Sequence, residues 1–387
     1  MGIFQQICDT FWSTSIWLPP NITWADIAPG SRPDVDHADY RDLWWPIAMA
    51  IALLIIRHCV ETYILSPFGK SLGIKSTRSK RATPNTILEA AYNNCSRIHH
   101  KTVIGLTKQV DMTERQIERW WRYRRAQDKP STLVKFCENS WRFLYYTHSF
   151  AFGLFVLWDK EWFWDVKQCW YGYPHQSVDS EIWSYYMFSM SFYWALVVSQ
   201  FFDIKRKDFW QMFVHHIVTL LLLSLSWICN LHRVGSLVLV VHDCADIFLE
   251  AAKITKYANY QKLCDAIFAF FTVIWIVTRL GFYPRIIYSS SIEAPQIVPM
   301  FPAYYIFNSL LILLLCLHIV WTYMILKIAH NSLKSGKMEG DCRSSSSELS
   351  DSSESVKGAA VTTNGTPQKK PSKPRSTPNS PKHSHKD

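Results

Sequence analysis

Seven stretches of this chain are apolar over about the 20 helical residues needed to cross a hydrocarbon core of about 30 Å. They are residues 44–66, 141–158, 182–201, 210–228, 234–252, 264–287 and 303–327, the fifth being the least apolar. Lipid supplies no hydrogen bonds, so each run must satisfy its backbone internally, which requires a helix. Of the 387 residues 49% are hydrophobic, yet the mean hydropathy is −0.03, so apolar and charged residues are segregated into blocks. The expected fold class is an all-α integral membrane protein with about seven transmembrane helices.

Lys and Arg accumulate in short cytosolic loops. Fifteen of them lie between Lys70 and Lys135, after the first run, which places that loop in the cytosol. Alternation then puts "DIKRKDF" and "KITKYANYQK" on the same side, and both are basic; "SSSIEAPQIVPM" on the other side carries no positive charge. The amino terminus is thereby lumenal, in agreement with a glycosylation sequon at Asn21-Ile22-Thr23. The first 25 residues lack a basic start followed by an apolar core, so the first span is expected to act as its own insertion signal. The net charge of +10 speaks of topology and anionic lipid before it speaks of nucleic acid. Ten cysteines form no C-x-x-C pair and give neither a disulfide framework nor a zinc pattern, though Cys8 and Cys169 would share the lumenal side and could pair. From about residue 334 the chain is Ser-, Lys- and Pro-rich with almost no large apolar side chain, which predicts a disordered cytosolic tail. Its Ser346-Ser347-Glu348 and Ser352-Ser353-Glu354 would suit an acid-directed kinase.

Ionisable residues inside spans are costly and face a protein interior or a wet cavity. Here they cluster: His215 and His216 in the fourth run, and His242, Asp243, Asp246 and Glu250 in the fifth. On a helix His242, Asp246 and Glu250 at i, i+4 and i+8 share a face, with Asp243 about 100° to the side. The two runs are joined by a few residues, so they are antiparallel neighbours and both clusters can open on one cavity. A lone membrane histidine is ordinarily polar glue between helices, whereas this set suits catalysis or ion handling. Metal binding is the first rival, against which the H-x-x-x-H and H-x-x-H-H spacings are absent and adjacent histidines diverge by about 100°. An imidazole made basic by a carboxylate can deprotonate an amine or attack a carbonyl, and acyl transfer between lipids uses both.

The segment "FWQMFVHHIVTLLLLSLSWICNLHRVGSLVLVVHDCADIFLEAAKITKY" resembles the Lag1 motif of the ceramide synthases, a group of TLC-domain membrane proteins, with H-H and H-D-x-x-D at the motif positions. "WLPPNITWADIAPGSRPD" near the amino terminus also resembles the animal members. The likeness implies a TLC-type helical bundle over residues 132–333, after a lumenal segment 1–43, a first transmembrane helix 44–66 and a cytosolic region 67–131. It implies a sphingoid base N-acyltransferase of the endoplasmic reticulum membrane that makes dihydroceramide or ceramide from acyl-CoA, here a substrate and not a cofactor, with no metal. The partners implied are acyl-CoA, a sphingoid base, membrane lipids and a second copy or a relative in a dimer; the nuclear envelope is a further location. His215, His216, His242, Asp243 and Asp246 are the implied catalytic set, with Glu250 on the substrate. One route has His242, oriented by Asp246 or Asp243, deprotonate the amine; the other, which is favoured, has His242 first carry the acyl group. Anionic coenzyme A would dock near Lys205, Arg206 and Lys207. Chain length would be set near residues 288–302.

A second likeness lies in the basic loop. "MTERQIERWWRYRRAQDK", residues 112–129, resembles the third helix of a homeodomain, with Trp120 at the core position and Arg124 and Arg125 at the paired arginines, but with Tyr123 where the adenine-reading asparagine stands. Residues 70–130 are therefore expected to form a small helical domain, structural or regulatory before sequence-specific. The alternatives are a membrane-tethered DNA-binding regulator, or a TLC protein that senses lipid without catalysis.

Overall fold

A computed structural model describes residues 2–335 apart from 75, 77–80, 95–98, 129 and 205. The tail serines and Lys205 thus lie outside the described residues. Among the described residues the elements are helical throughout. We label the longer ones α1 (Ile3–Phe11), α2 (Tyr40–Ser71), α3 (Thr86–Asn94), α4 (His100–Thr107), α5 (Glu114–Asp128), α6 (Thr132–Leu157), α7 (Ser180–Ser199), α8 (Phe209–Ile228), α9 (His232–Tyr257), α10 (Gln261–Ile297) and α11 (Ala303–Ser335).

Each of the seven expected spans falls on one long helix. Four of these, α2, α8, α10 and α11, are long and apolar enough to cross a membrane by length and composition. The other three, α6, α7 and α9, have 26, 20 and 26 residues but carry more polar groups on their inner faces. α6 begins nine residues before its expected start of 141, because Ser131 caps it by accepting from the Val134 amide at 3.3 Å. Glu138, Asn139 and Arg142 in that first part hide it from a hydropathy scan.

α10 also differs from expectation: residues 289–297, read as loop, stay helical. Two wide π-type turns, Ile276–Phe282 and Ser289–Glu293, make this possible. Each ends two residues before a proline, Pro284 and Pro295, and a third such turn in α2, Glu61–Leu65, ends two residues before Pro67. A proline removes one N–H from the ladder and pushes against the carbonyl four residues back. A wide turn placed there relieves the clash without ending the helix.

α9 packs chiefly on α6 and α10, while α2 lies along α7 and leaves Ile47, Ile51, Ile55 and Ile64 exposed. The turns at the two ends of α9 both use asparagine with left-handed backbone, Asn230 at φ 58° and Asn259 at φ 64°. Asn230 is buried and does more than turn the chain. Its Nδ2 donates to the carbonyls of Pro174 and Gln176 at 2.7 and 2.8 Å, and its Oδ1 accepts from the Ala38 amide at 3.4 Å. One side chain thus ties the α8–α9 turn to the loop before α7 and to the amino-terminal segment. Asn21 is exposed beside that segment, with the Thr23 hydroxyl donating to Asp26 at 2.8 Å. Cys8 and Cys169, which the sequence left able to pair, are both free: Cys169 is buried in the main core, whereas Cys8 sits on α1, which buries no residue.

The region between α2 and α6 has a core of its own, with Leu88, Val103, Leu106, Ile117, Trp120 and Trp121 buried. Asn85 caps α3, and the Trp120 indole donates to the Thr83 carbonyl at 2.6 Å. The unit is the helical domain expected from the sequence. Of the paired arginines, Arg124 is committed internally, to Glu89 at 2.9 Å and to Asp128.

The amino-terminal segment and the loop before α7 also meet through two imidazoles, His37 Nε2 and His175 Nδ1 at 3.2 Å, with Ser31 Oγ at 3.3 Å from His37 Nδ1. Burial, then for His37 the charge of its neighbour and of Arg32, and for His175 that of Arg32, holds both rings below the ordinary histidine value, against the opposing pull of nearby aspartates. A ring with a lowered folded pKa takes a proton more readily once released, so the clasp is fully stabilising above about pH 6.5 and loses strength as pH falls. Hydrogen exchange over residues 31–43 should therefore quicken between pH 7.5 and 5.5 relative to intrinsic rates, and His175→Phe should weaken that dependence, which buried His37 still carries. Protection that does not change with pH in the native protein would show that the pair is inert.

Candidate active site

Two cavities lie end to end inside the helices. The first, about 970 Å³, is lined almost wholly by apolar side chains of α8, α9 and α11 together with residues 290–301. The second, about 1050 Å³, opens at the opposite end near Asp203 and Arg206 and is lined by charged and aromatic groups. His242 and Tyr193 belong to both walls and form the neck between them.

The polar face of α9 meets the second cavity as its spacing requires: His242, Asp246 and Glu250 all line it. His215 and His216 enter from α8, and their rings stand 6.4 and 6.3 Å from that of Tyr193. Of the expected catalytic set, Asp243 alone is turned away. It accepts from Ser149 of α6 at 2.6 Å, buried in the α6–α9 contact, and lines neither cavity. Glu250 is paired with Lys253 at 2.5 Å. Arg206 lines the mouth while bonded at 3.2 Å to both Glu138 and Asn139; Lys207 is exposed and does not line it.

Hydrogen bonds fix the tautomers of three rings. His242 Nδ1 lies 2.6 Å from the Val238 carbonyl, which can only accept, so the proton is on Nδ1 and Nε2 carries the lone pair. That lone pair faces Nε2 of His318, from α11, at 3.2 Å, which makes His318 the donor. Neither carboxylate orients His242, contrary to the sequence reading: the helix's own carbonyl and His318 do. His216 Nδ1 lies 3.0 Å from Gln200 Oε1, and the Gln200 amide is itself oriented by donating to the Phe209 carbonyl at 2.7 Å. His216 therefore donates through Nδ1 and keeps Nε2 as a base. His215 differs from both. Neither of its nitrogens has a hydrogen-bond partner among the described residues; Nδ1 is enclosed, and the ring stands edge-on to Trp321 at 5.3 Å.

Arg279, in the first wide turn of α10, is 2% exposed. It donates to the carbonyls of Val241 and His242 at 2.7 Å and approaches Asp246 at 3.4 Å. The sequence reading missed both Arg279 and His318. A single Arg or His within a long apolar run was the available signal, but the hydropathy windows average it away. Among the described residues no three of His, Cys, Asp and Glu converge to hold a metal ion.

The arrangement suits joining a long hydrocarbon substrate to a polar one. The apolar chamber accepts a chain, the polar chamber accepts charge, and imidazoles stand at the junction. A TLC domain model matches residues 135–327 and a homeodomain model residues 78–130. Over 90% of this chain and 90% of its own length, human "Ceramide synthase 5" is 42% identical. Human "Ceramide synthase 3" is 40% identical over 86% of each, and human "Ceramide synthase 4" 38% over 90% of this chain and 88% of its own.

Leucine at position 279 would strip two helix carbonyls and a carboxylate of their cation, at a cost of about 3 kcal/mol or more. Thermal unfolding of the detergent-solubilised Arg279→Leu protein should show a clear fall in midpoint, and an unchanged midpoint would mean that the contacts contribute nothing.

Proposed function

The chain belongs to the ceramide synthase family, and we propose that it transfers a fatty acyl chain from acyl-CoA to the amine of a sphingoid base, leaving the amide of dihydroceramide or ceramide. The observation that carries this reading beyond the family is the meeting of the apolar and polar chambers at His242 and Tyr193. The acyl chain lies in the apolar chamber, toward residues 290–301, and its thioester carbonyl sits at the neck. Coenzyme A extends through the polar chamber, where Arg142, Arg206 and Lys253, each already ion-paired to a carboxylate, offer further N–H donors to its phosphates.

Of the two routes left open by the sequence we favour acyl transfer through an imidazole, with the acyl carrier moved from His242 to His215. The lone pair of His242 already faces a hydrogen-bond donor, while His215 has none. In the first step a His215 nitrogen attacks the thioester carbonyl, the C–S bond breaks and the coenzyme A thiolate leaves. In the second, His216 Nε2 takes one proton from the sphingoid ammonium, the amine attacks the acyl-imidazolium, His215 departs as the neutral leaving group, and the second amine proton passes to water in the polar chamber. Tyr193, at the neck, donates to the oxyanion formed in both steps. We place the polar mouth and the three-helix unit in the cytosol, residues 2–39 in the lumen, and the protein in the endoplasmic reticulum, with α6, α7 and α9 crossing alongside the four more apolar helices. We expect a dimer, and Asn21 to be glycosylated. For the three-helix unit a structural role fits better than base readout, because Tyr123 stands at the adenine-reading position and Arg124 is bound to Glu89.

Purified protein should form dihydroceramide from sphinganine and palmitoyl-CoA, and no product under any condition would remove the reading. With palmitoyl-CoA alone, mass spectrometry should find palmitate on His215, absent from His215→Ala, which loses turnover about a thousand-fold or more. An adduct on His242, or normal turnover by His215→Ala, would overturn the assignment. Tyr193→Phe should lower kcat about a hundred-fold with KM little changed; a change confined to KM would make Tyr193 a chain-binding residue only.

A further inference from the structure

The apolar chamber contains a polar group that the reaction does not use. Along α11 the chamber is lined by Tyr304, Phe307, Leu311 and Leu314, a helical stripe that continues to His318 at the active site. Asn308 lies in the same wall, 7% exposed. Its Nδ2 donates to the Tyr304 carbonyl at 2.9 Å, which fixes the amide orientation and leaves Oδ1 enclosed with no partner among the described residues. A buried amide oxygen without a donor is unfavourable, and an apolar side chain of this volume would have closed the wall without that penalty. An acceptor in such a place selects for a donor brought in by the chamber's occupant.

Its depth identifies the donor. Asn308 precedes His318 by ten positions, about 15 Å of helix. In a zigzag chain three bonds span about 3.6 Å, or about 1.2 Å per bond, so Asn308 lies beside an extended chain about twelve bonds from the reacting carbonyl. We propose that Asn308 is a specificity-determining residue, accepting a hydrogen bond from a hydroxyl carried near carbon 12 of the acyl chain, so that mid-chain hydroxylated acyl-CoAs are substrates. Tyr173, in the same chamber wall, has a hydroxyl that is also enclosed without a partner among the described residues, and it provides a second polar contact for such chains.

The inference rests on the acyl chain occupying the apolar chamber, and the test separates the two ideas. The full-length protein in detergent with sphinganine is given stearoyl-CoA and its 6-, 12- and 16-hydroxy derivatives in pairwise competition. The 12-hydroxy chain is expected to compete with stearoyl-CoA at a ratio at least about five-fold above that of the other isomers, the size of one buried hydrogen bond. Asn308→Leu should abolish the positional preference, read as the ratio of 12-hydroxy to unsubstituted product within one reaction so that any change in overall turnover cancels, and Asn308→Asp should keep a preference for the 12-hydroxy chain. A flat profile across positions in the native protein, or an undiminished preference in Asn308→Leu, overturns the assignment of Asn308. Failure to use stearoyl-CoA and shorter acyl-CoAs alike would instead fall on the proposed function. If Asn308→Leu does not fold, the native profile and the aspartate variant still decide.

Discussion

Taking a polar group out of water without giving it a partner is the cost around which this molecule is arranged. Among the described residues the four cavity-lining imidazoles, the three carboxylates of α9 and several cations are carried by helices whose outer faces are apolar. Nearly every one is either bonded or opens on a cavity: His216 to Gln200, His242 to Val238 and His318, Asp243 to Ser149, Arg279 to two carbonyls of α9. His215 is the exception among the cavity-lining rings, and its lack of a partner is the ground on which we propose it as the acyl carrier.

The same constraint explains how the polar mouth is built. Asp203, in the α7–α8 connection, receives Arg57 of α2 at 2.7 Å and Arg142 of α6 at 3.0 Å, and Glu138 receives Arg142 at 2.6 Å and Arg206 at 3.2 Å. Alternating charges thus bind α2 to the bundle and shape the turn that carries Gln200 and so orients His216. Breaking one partner leaves the next one buried and unpaired, so the belt acts as a unit. The wide turns of α10 serve the opposite end. They keep the helix running through two prolines, which lets it carry both Arg279 beside the neck and residues 290–297 against the apolar chamber.

The amino-terminal segment, without a span of its own before α2, closes the bundle at that end through few but specific contacts. Trp17 is buried against Phe307, a wall residue of the apolar chamber, at 6.3 Å. Asn230 and the His37–His175 pair hold the segment to the α8–α9 turn and the loop before α7. The chamber's wall is therefore supported by residues almost 300 positions away in the chain, which gives the far end of the substrate path a stability that is sensitive to its surroundings.

Helical periodicity and hydropathy are local, and what depends on them was legible in the chain: seven helices at the expected places, the paired histidines of α8, and the row His242, Asp246 and Glu250 along one side of α9. The small helical domain was likewise legible, since Ile117, Trp120 and Trp121 fall on one face of α5. The sequence also put Asp243 about 100° off that row, though not that Ser149 would take it. Contacts between distant helices were out of reach. The Val238 carbonyl one turn back sets the proton on His242 Nδ1, but His318 meets the ring's other nitrogen across 76 positions and Arg279 meets the His242 carbonyl across 37, and it is His318, not a neighbouring carboxylate, that occupies the ring's lone pair. A residue's face on its helix, and the carbonyl one turn back that it can meet, follow from the 3.6-residue turn, but the partners on its remaining atoms are ones that only packing brings within 3 Å or so.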